Sequence, residues 1–467
     1  MSCACFKKLL AGFWLAVSGV FAQVPDTIIV APRLGTSPVV FEADDPAIWR
    51  HPHDAAQSLI IGTDKGTYPD GGLFVWNLDG TLQQRLNISH PNNVDVRYGL
   101  ELAGQHIDFA AVSMRDHRQV RIFKIDSDSR MLSEVTTRDS SNVLRRMFKS
   151  PYGLTLYQRR WDGAFFIFVS SRHNESQDKL WQIRLQDDGT GHVKGALVRE
   201  LGQHRGIVEG MVADDILGFL YASEQKAGIA KYYADPERGE TRLAFFGTED
   251  SLAGNFEGLA LYPCSDSTGY LLASRPAARC ITLYRREGEP ADAHRHNAMA
   301  VIRNAGGESG DGLEISNRRY GTVFPNGFLI WHNQNGRNFQ LYAWEEIAQN
   351  RLRLCSEGET RASVGQNSSG TTRSATGIAL QQNYPNPFNP DTEISFVLRQ
   401  PGAVRLTVYN VLGKEVRRLL EATLSSGTHA VRWDARDNFG ALLGSGVYFC
   451  QIQTGSVSQT RRMLLSR

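Results

Sequence analysis

The sequence has almost no net charge. Its 51 Lys and Arg nearly balance 49 Asp and Glu, leaving +2 over 467 residues. That balance argues against a nucleic-acid or membrane-surface partner. Six cysteines are few for this length, and none form a Cys-x-x-Cys pair, which excludes the usual zinc-ribbon sites. No apolar run is long enough to span a bilayer comfortably, so no transmembrane segment is expected. Long helical patterns are scarce. Nucleophile signatures are missing as well. There is no Gly-x-Ser-x-Gly elbow, no Gly-x-x-x-x-Gly-Lys-Ser/Thr phosphate loop and no Arg-His-Gly. An α/β-hydrolase, a P-loop enzyme and a histidine-nucleophile phosphatase are therefore disfavoured.

What the chain has is short strands and turns. Lys7 and Lys8 precede a short apolar stretch, Leu9 to Phe21, and Val20-Phe21-Ala22 suits a small-residue cleavage site. Residues 1–22 therefore read as a secretory signal, with Gln23 opening the mature chain. Cys3 and Cys5 precede the apolar stretch, so neither is placed as a lipoprotein cysteine. Export permits disulfides among Cys264, Cys280, Cys355 and Cys450. Cys264 and Cys280 bracket a hairpin-like stretch and could pair, although sequence does not fix connectivity.

From Asp44 to about Glu346 strands alternate with turns every 8–15 residues or so. Examples are Leu59–Thr63, Gly72–Trp76, Val120–Ile125, Phe165–Val169 and Gly327–Trp331. A loose theme repeats six times, with a strand carrying an aromatic as in Val75-Trp76, Ile122-Phe123, Leu180-Trp181, Lys231-Tyr232, Leu283-Tyr284 and Leu341-Tyr342. Four-stranded units recurring about every 50 residues predict a propeller rather than a sandwich. Residues 23–352 are assigned to it. A Ser/Thr/Gly-rich stretch at 353–377 reads as a flexible linker. Residues 378–467 carry alternating strands suited to a small, immunoglobulin-like β-sandwich. The linker has little capacity for a shared core, so the propeller is expected to act without the tail. The fold class is all-β throughout.

Acids beside glycine stand out in the propeller: Glu209-Gly210, Glu257-Gly258 and Asp311-Gly312. Each reads as a turn, with glycine supplying a backbone conformation denied to other residues. Any one alone could be a hairpin turn with a solvated acid. Ala43-Asp44-Asp45-Pro46 and Asn92-Asn93-Val94 add carboxylates, amides and carbonyls. Oxygen donors without Cys or His suit a hard cation, calcium above all. His51-Pro52-His53-Asp54 reads as a turn rather than a metal site. Lys65, Arg115 and Arg172 each follow a strand end. Singly they could be solvated charges. Beside clustered acids, they fit an anionic phosphate substrate.

These motifs, in this order and spacing over roughly residues 26–350, resemble the calcium-dependent β-propeller phytases. Tyr152-Gly153-Leu154 and the closing Trp344-Glu345-Glu346-Ile347-Ala348 belong to the same match. The resemblance implies a six-bladed propeller that hydrolyses phytate, inositol hexakisphosphate, as a phosphoric monoester hydrolase of the 3-phytase type. It implies several calcium ions. Asp44, Tyr152, Glu209, Glu257 and Asp311 would ligate the catalytic ones. Asp45, Asn92 and the backbone oxygens of Pro46 and Val94 would hold a structural one. Lys65, Arg115 and Arg172 would grip phosphates. The sequence departs from the family at Gln225 and Asn255, where acids are usual, at Arg172, where Lys is common, and in the loop His332–Gly336. A propeller lactonase or phosphotriesterase is the nearest other hydrolase, and a non-catalytic surface-binding propeller the main reading from another class. The tail, with Asn383-Tyr384-Pro385-Asn386-Pro387-Phe388-Asn389-Pro390, Val408–Gly413, Gly446-Val447-Tyr448 and Arg461–Leu465, resembles the type A sorting domain of the type IX secretion system. It implies a partner in that machinery and a secreted or cell-surface location. A monomer is expected.

Overall fold

The computed structural model describes residues 26–147, 150–172, 180–202, 204, 206–248, 255–355, 378–381, 383, 384, 386, 388–398, 400–455 and 457–465. The expected signal at 1–22 and the stretch 356–377 lie outside the described residues. Six antiparallel sheets follow one another in chain order. Blade 1 contains the strands Ala43–Trp49, Leu59–Asp64, Gly72–Asn77 and Leu82–Leu86. Blade 2 runs from Pro91–Leu102 to Leu132–Glu134 and blade 3 from Pro151–Gln158 to Val193–Leu201. Blade 4 runs from Val208–Asp214 to Ala244–Phe246, and blade 5 from Leu259–Pro263 to Ala298–Asn304. Blade 6 takes three strands, Leu313–Ser316, Phe328–Asn333 and Asn338–Ala343, from the end of the propeller.

The fourth strand of blade 6 comes from the N-terminus: Leu34–Gly35 pairs antiparallel with Asn338–Ala343. Asp26–Val30 adds a parallel fifth strand to blade 5. Both ends of the propeller chain are thereby tied into its closure. Arg33, just before the closing strand, also pairs with Glu345 and Glu346. The first strand of each blade packs on the first strands of its two neighbours, and the ring closes from blade 6 back to blade 1.

The propeller core is not one mass but six slabs, one between each pair of blades. Ala47, Ile61, Val112 and Phe123 share the slab between blades 1 and 2, for example. Each interior blade is therefore covered on both faces. This explains why Phe165–Ser171 is buried at every position instead of alternating. A strand buried on two sides reads as a continuous apolar run.

The cysteine pairing differs from the expected one. Cys264 bonds Cys355, while Cys280 and Cys450 are buried and outside the disulfide. Pro263 pairs with Gly269 and Cys280 with Arg275. The length of the strand Gly269–Arg275 thus separates Cys264 from Cys280, roughly 20 Å at strand rise. The bond also moves a boundary. The Cys355 and Arg353 amides donate to the Tyr262 and Tyr270 hydroxyls, and the Trp344 indole donates to the Arg353 carbonyl. Residues 353–355, assigned to the linker from sequence, belong to the propeller.

The tail forms two facing sheets. One comprises Ile378–Leu380, Thr392–Leu398 and Gly427–Trp433, and the other Glu415–Leu424, Gly402–Asn410, Gly446–Thr454 and Val457–Leu465. Phe396, Leu406, Trp433, Cys450 and Met463 fill the space between them.

Candidate active site

Each blade offers the same dipeptide position to one end of the channel. In chain order these are Asp44-Asp45, Asn92-Asn93, Tyr152-Gly153, Glu209-Gly210, Glu257-Gly258 and Asp311-Gly312. In blades 1 to 4 the position coincides with a register shift in the innermost strand: Ala43/Pro46, Pro91/Val94, Pro151/Leu154 and Val208/Met211. Such a bulge turns a side chain away from the regular pleat. In blades 5 and 6 the dipeptide immediately precedes the innermost strand. Glu209-Gly210 is thus not a turn, as its sequence suggests, but part of a strand.

The glycines serve a different purpose from the one read in the sequence. Gly153, Gly210, Gly258 and Gly312 do not have positive φ. They let neighbouring blades touch. A Cβ on Gly210 would lie 1.6 Å from the Glu257 carbonyl oxygen, and one on Gly153 2.1 Å from that of Glu209. Equivalent positions on Gly258 and Gly312 would lie 2.6 Å from the Asp311 oxygen and 2.2 Å from the Asp44 oxygen. Each acid carbonyl is pressed against the glycine of the preceding blade. A small hydroxyl in the second strand completes the contact. Thr63 donates to the Asn92 carbonyl at 2.6 Å, Ser113 to that of Tyr152 at 2.6 Å and Ser223 to that of Glu257 at 2.7 Å. Ser170 reaches the Val208 carbonyl and Ser274 that of Asp311. Sequence reading missed these hydroxyls. Their signal was present, since each predicted cation stands two residues beyond one: Thr63 and Lys65, Ser113 and Arg115, Ser170 and Arg172.

The ring brings the predicted site residues together. Lys65 Nζ lies 2.7 Å from Asp44 Oδ1 and 3.5 Å from Glu209 Oε1. Tyr152 stands beside Glu209, whose charge acts on its phenol. The Glu257 and Asp311 carboxyls are close neighbours. Burial pushes Asp44 up to about 8, with Glu209 and Asp311 adding to the effect against Lys65. Burial and the Asp311 contact push Glu257 up to about 9. Lys65 is desolvated too, but Asp44 and Glu209 hold its ammonium well above the ordinary lysine value. Burial and the same acids raise the Tyr152 phenol, which stays neutral. Gln225, at the blade 4 position matching the three cations, donates to Glu209 Oε2 at 2.8 Å. His332 accepts the Asp311 amide on Nδ1 at 3.1 Å, while its Nε2 is buried without a partner.

Arg115 and Arg172 meet at one aromatic ring. Their guanidinium carbons lie 5.5 and 5.8 Å from the Tyr152 ring centre. Among the described residues neither is in an ion pair. Tyr152 therefore holds two guanidiniums at the rim beside the acid ring.

The positions expected to hold a structural ion lie slightly deeper. Asp45, Pro46 and Val94 line a channel cavity of about 170 Å³. Asp45 Oδ2 accepts the Val94 amide at 3.0 Å, and Thr63 Oγ1 joins Asp45 to Asn92. Burial and the Asp44 charge drive the Asp45 carboxyl well above its ordinary range. The buried Asn92 Oδ1 has no partner. Arg97, which lines the same cavity, crosses the channel to Asp95, Asp215 and the Leu156 carbonyl.

This donor set fits a hard cation. It consists of oxygens, its acids outnumber the single Lys65 ammonium that faces them, and the buried Asn92 Oδ1 is unsatisfied. Among the described residues no three His, Cys, Asp or Glu side chains converge tightly enough to grip one ion. Asp44 and Glu209 are instead engaged by Lys65, and Glu257 by Asp311. His51 Nδ1 accepts the amides of His53 and Asp54, which makes His51–Asp54 the turn it was read as.

Comparisons with known proteins agree with this geometry. The phytase family model matches residues 2–360, and that of a secretion system C-terminal sorting domain matches residues 382–466. A curated relative, the 3-phytase of Bacillus subtilis (strain 168), is 32% identical over 322 residues, covering 66% of this chain and 80% of that protein. Among solved structures, PorZ, a surface component of the type-IX secretion system of Porphyromonas gingivalis, aligns with a TM-score of 0.37 and 14% identity. That alignment covers 91% of this chain and 52%, about half, of PorZ. The hydrazine synthase of Kuenenia stuttgartiensis aligns with a TM-score of 0.40 and 12% identity, over 70% of this chain and 98% of that one. At these scores neither structural likeness bears on function.

Proposed function

The chain belongs to the phytase family, and from that premise we propose a calcium-dependent phosphomonoesterase that converts phytate to lower inositol phosphates and free phosphate. One observation carries the calcium reading. Buried Asp44 and Glu209 and half-buried Glu257 and Asp311 line one ring whose only close cation among the described residues is Lys65, and Asp44 and Glu257 are forced far above the carboxylate range. Acids gathered in this way need more positive charge than the ring contains.

Asp44, Tyr152, Glu209, Glu257 and Asp311 would hold the catalytic ions. Asp45, Asn92 and the carbonyls of Pro46 and Val94 would hold the structural one. Calcium, when bound, supplies charge that offsets the phosphate and acidifies the attacking water. The chain's own groups do the rest. Lys65, Arg115 and Arg172 take the phosphate oxygens, and the arginines provide the planar fork suited to them. Tyr152 keeps both guanidiniums in place, so little orientation is lost on binding. Gln225 fixes the rotamer of Glu209. A second phosphate of the same substrate can rest on the neighbouring cations, so that two linked contacts hold a polyanion. The sorting domain would route the enzyme through type IX secretion to the cell surface or beyond.

The deciding assay compares phosphate release from phytate, with and without free calcium, against hydrolysis of a lactone and of a neutral phosphotriester. Calcium-dependent release from phytate alone is expected. Glu209→Gln should lower it by about a hundredfold or more, as loss of a major electrostatic contributor does. Preferred hydrolysis of the lactone or triester, or a fully active Glu209→Gln, would reject the proposal.

A further inference from the structure

The tail is more than a tethered passenger. In its opening motif, Asn383 Nδ2 donates to Thr392, Asn386 Oδ1 accepts the Leu464 amide, and Phe388 lies in the tail core. Tyr384 reaches the other way. Its backbone is held to Glu393 by two hydrogen bonds of 2.8 and 2.7 Å, which mount the side chain rigidly. The side chain is buried against the propeller.

Its seat is built from blades 3 and 4. The Tyr384 hydroxyl hydrogen-bonds the buried Tyr157 hydroxyl of blade 3. Its ring edge lies on Gly218, in the first turn of blade 4, where a Cβ would come 2.1 Å from the hydroxyl and 2.5 Å from Cζ. Gly218 also needs its φ of +71°, so both space and conformation call for glycine there. Asp235 and Arg238, which follow the third strand of blade 4, act on the Tyr384 phenol electrostatically, and Asp162 of blade 3 acts on Glu393. Tyr157 and Gly218 come from different blades, so the seat is more than one atom pair.

Its location matters. Tyr152 and Tyr157 lie on the same strand, Pro151–Gln158. They stand five positions apart, roughly 17 Å at strand rise. The acid ring opens on one face of the propeller, and Tyr384 is seated on the opposite face, between blades 3 and 4.

We propose that Tyr384 docks the C-terminal domain on the blade 3–blade 4 rim, making propeller and tail one unit in solution with the acid-ring mouth left open. A seated tail then leaves substrate access free. It also withdraws the Tyr384 side chain from any secretion partner, which must engage another surface of the domain.

The test uses the full mature chain. Small-angle scattering gives its maximum dimension, and hydrogen exchange reports the Asp214–Gly218 turn, whose Gly218 amide bonds the Asp214 carbonyl. The wild type should be compact and protected at that turn. Tyr384→Ala should lengthen the particle and speed exchange at the turn at least tenfold, with phosphate release from phytate within twofold of wild type. Gly218→Ala, made on the propeller side, should separate the domains without touching the tail, and Tyr384→Phe should stay largely docked. An extended wild type, or Tyr384→Ala as compact and protected as wild type, would overturn the proposal.

Discussion

The glycines of the ring make a graded prediction. A real Cβ rarely comes within 3.0 Å of a neighbouring heavy atom, and Gly210→Ala would place one at 1.6 Å from a backbone oxygen. The Glu257 carbonyl must therefore retreat by about 1.4 Å. It cannot rotate away, because Ser223 holds it at 2.7 Å. Blades 4 and 5 have to part instead. Overpacking of this kind costs about 1–3 kcal/mol, and a backbone obstacle places Gly210→Ala at the upper end. At roughly 2 °C per kcal/mol for a domain of this size, the Tm should fall by about 5 °C or more. The same displacement separates Glu257 from Glu209. An error of about 1 Å in a reacting site lowers rate by about a hundredfold, so kcat/KM for phytate should drop by that order. The relatives on the ring set the scale. Gly153→Ala and Gly312→Ala start from 2.1 and 2.2 Å and should show intermediate losses, and Gly258→Ala, from 2.6 Å, the smallest. Gly444→Ala, with open space around it, is the control. Thermal unfolding and steady-state kinetics on the five variants decide the matter. Equal effects, a reversed order, or a Gly210→Ala within twofold of wild type would refute blade-to-blade contact as the origin of site geometry.

Three further outcomes rest on named contacts. Cys355→Ser opens a cross-link spanning 91 residues and should lower stability by about 2–4 kcal/mol; denaturant midpoints with and without reductant measure it, and the variant should be insensitive to reductant. Lys65→Met removes the cation between Asp44 and Glu209 and should reduce kcat/KM for phytate by about a hundredfold, whereas an unchanged value would remove Lys65 from phosphate binding. Gln225→Glu replaces an amide that donates to Glu209 with a second carboxylate, so the rate should rise at lower free calcium and the calcium-free protein should melt earlier. Asn255→Asp should shift the calcium curve the same way, and an unmoved curve in the double variant would place both positions outside the ion site.

Much of this was legible in the chain. Strand after strand, separated by turns, fixes an all-β class because a buried pleated ribbon demands apolar, β-branched and aromatic residues. The recurrence of such units points to blades. The acids and cations that converge in the ring were recognisable by their place beside glycine and after strand ends, since every blade repeats one local pattern. What local pattern cannot carry is which remote segments touch. Cys264 chose Cys355 over the nearer Cys280 because the length of a strand separates the nearer pair. Gly210 looked like a hinge and is a spacer, because the obstacle to a side chain is the carbonyl of another blade. Gly218 gave no hint of its occupant, a tyrosine more than 160 residues later in the chain. Residue types and their spacing are local chemistry and were written in order along the chain. Contact between blades, and between propeller and tail, depends on the closure of the ring in three dimensions, and only the tertiary structure decides it.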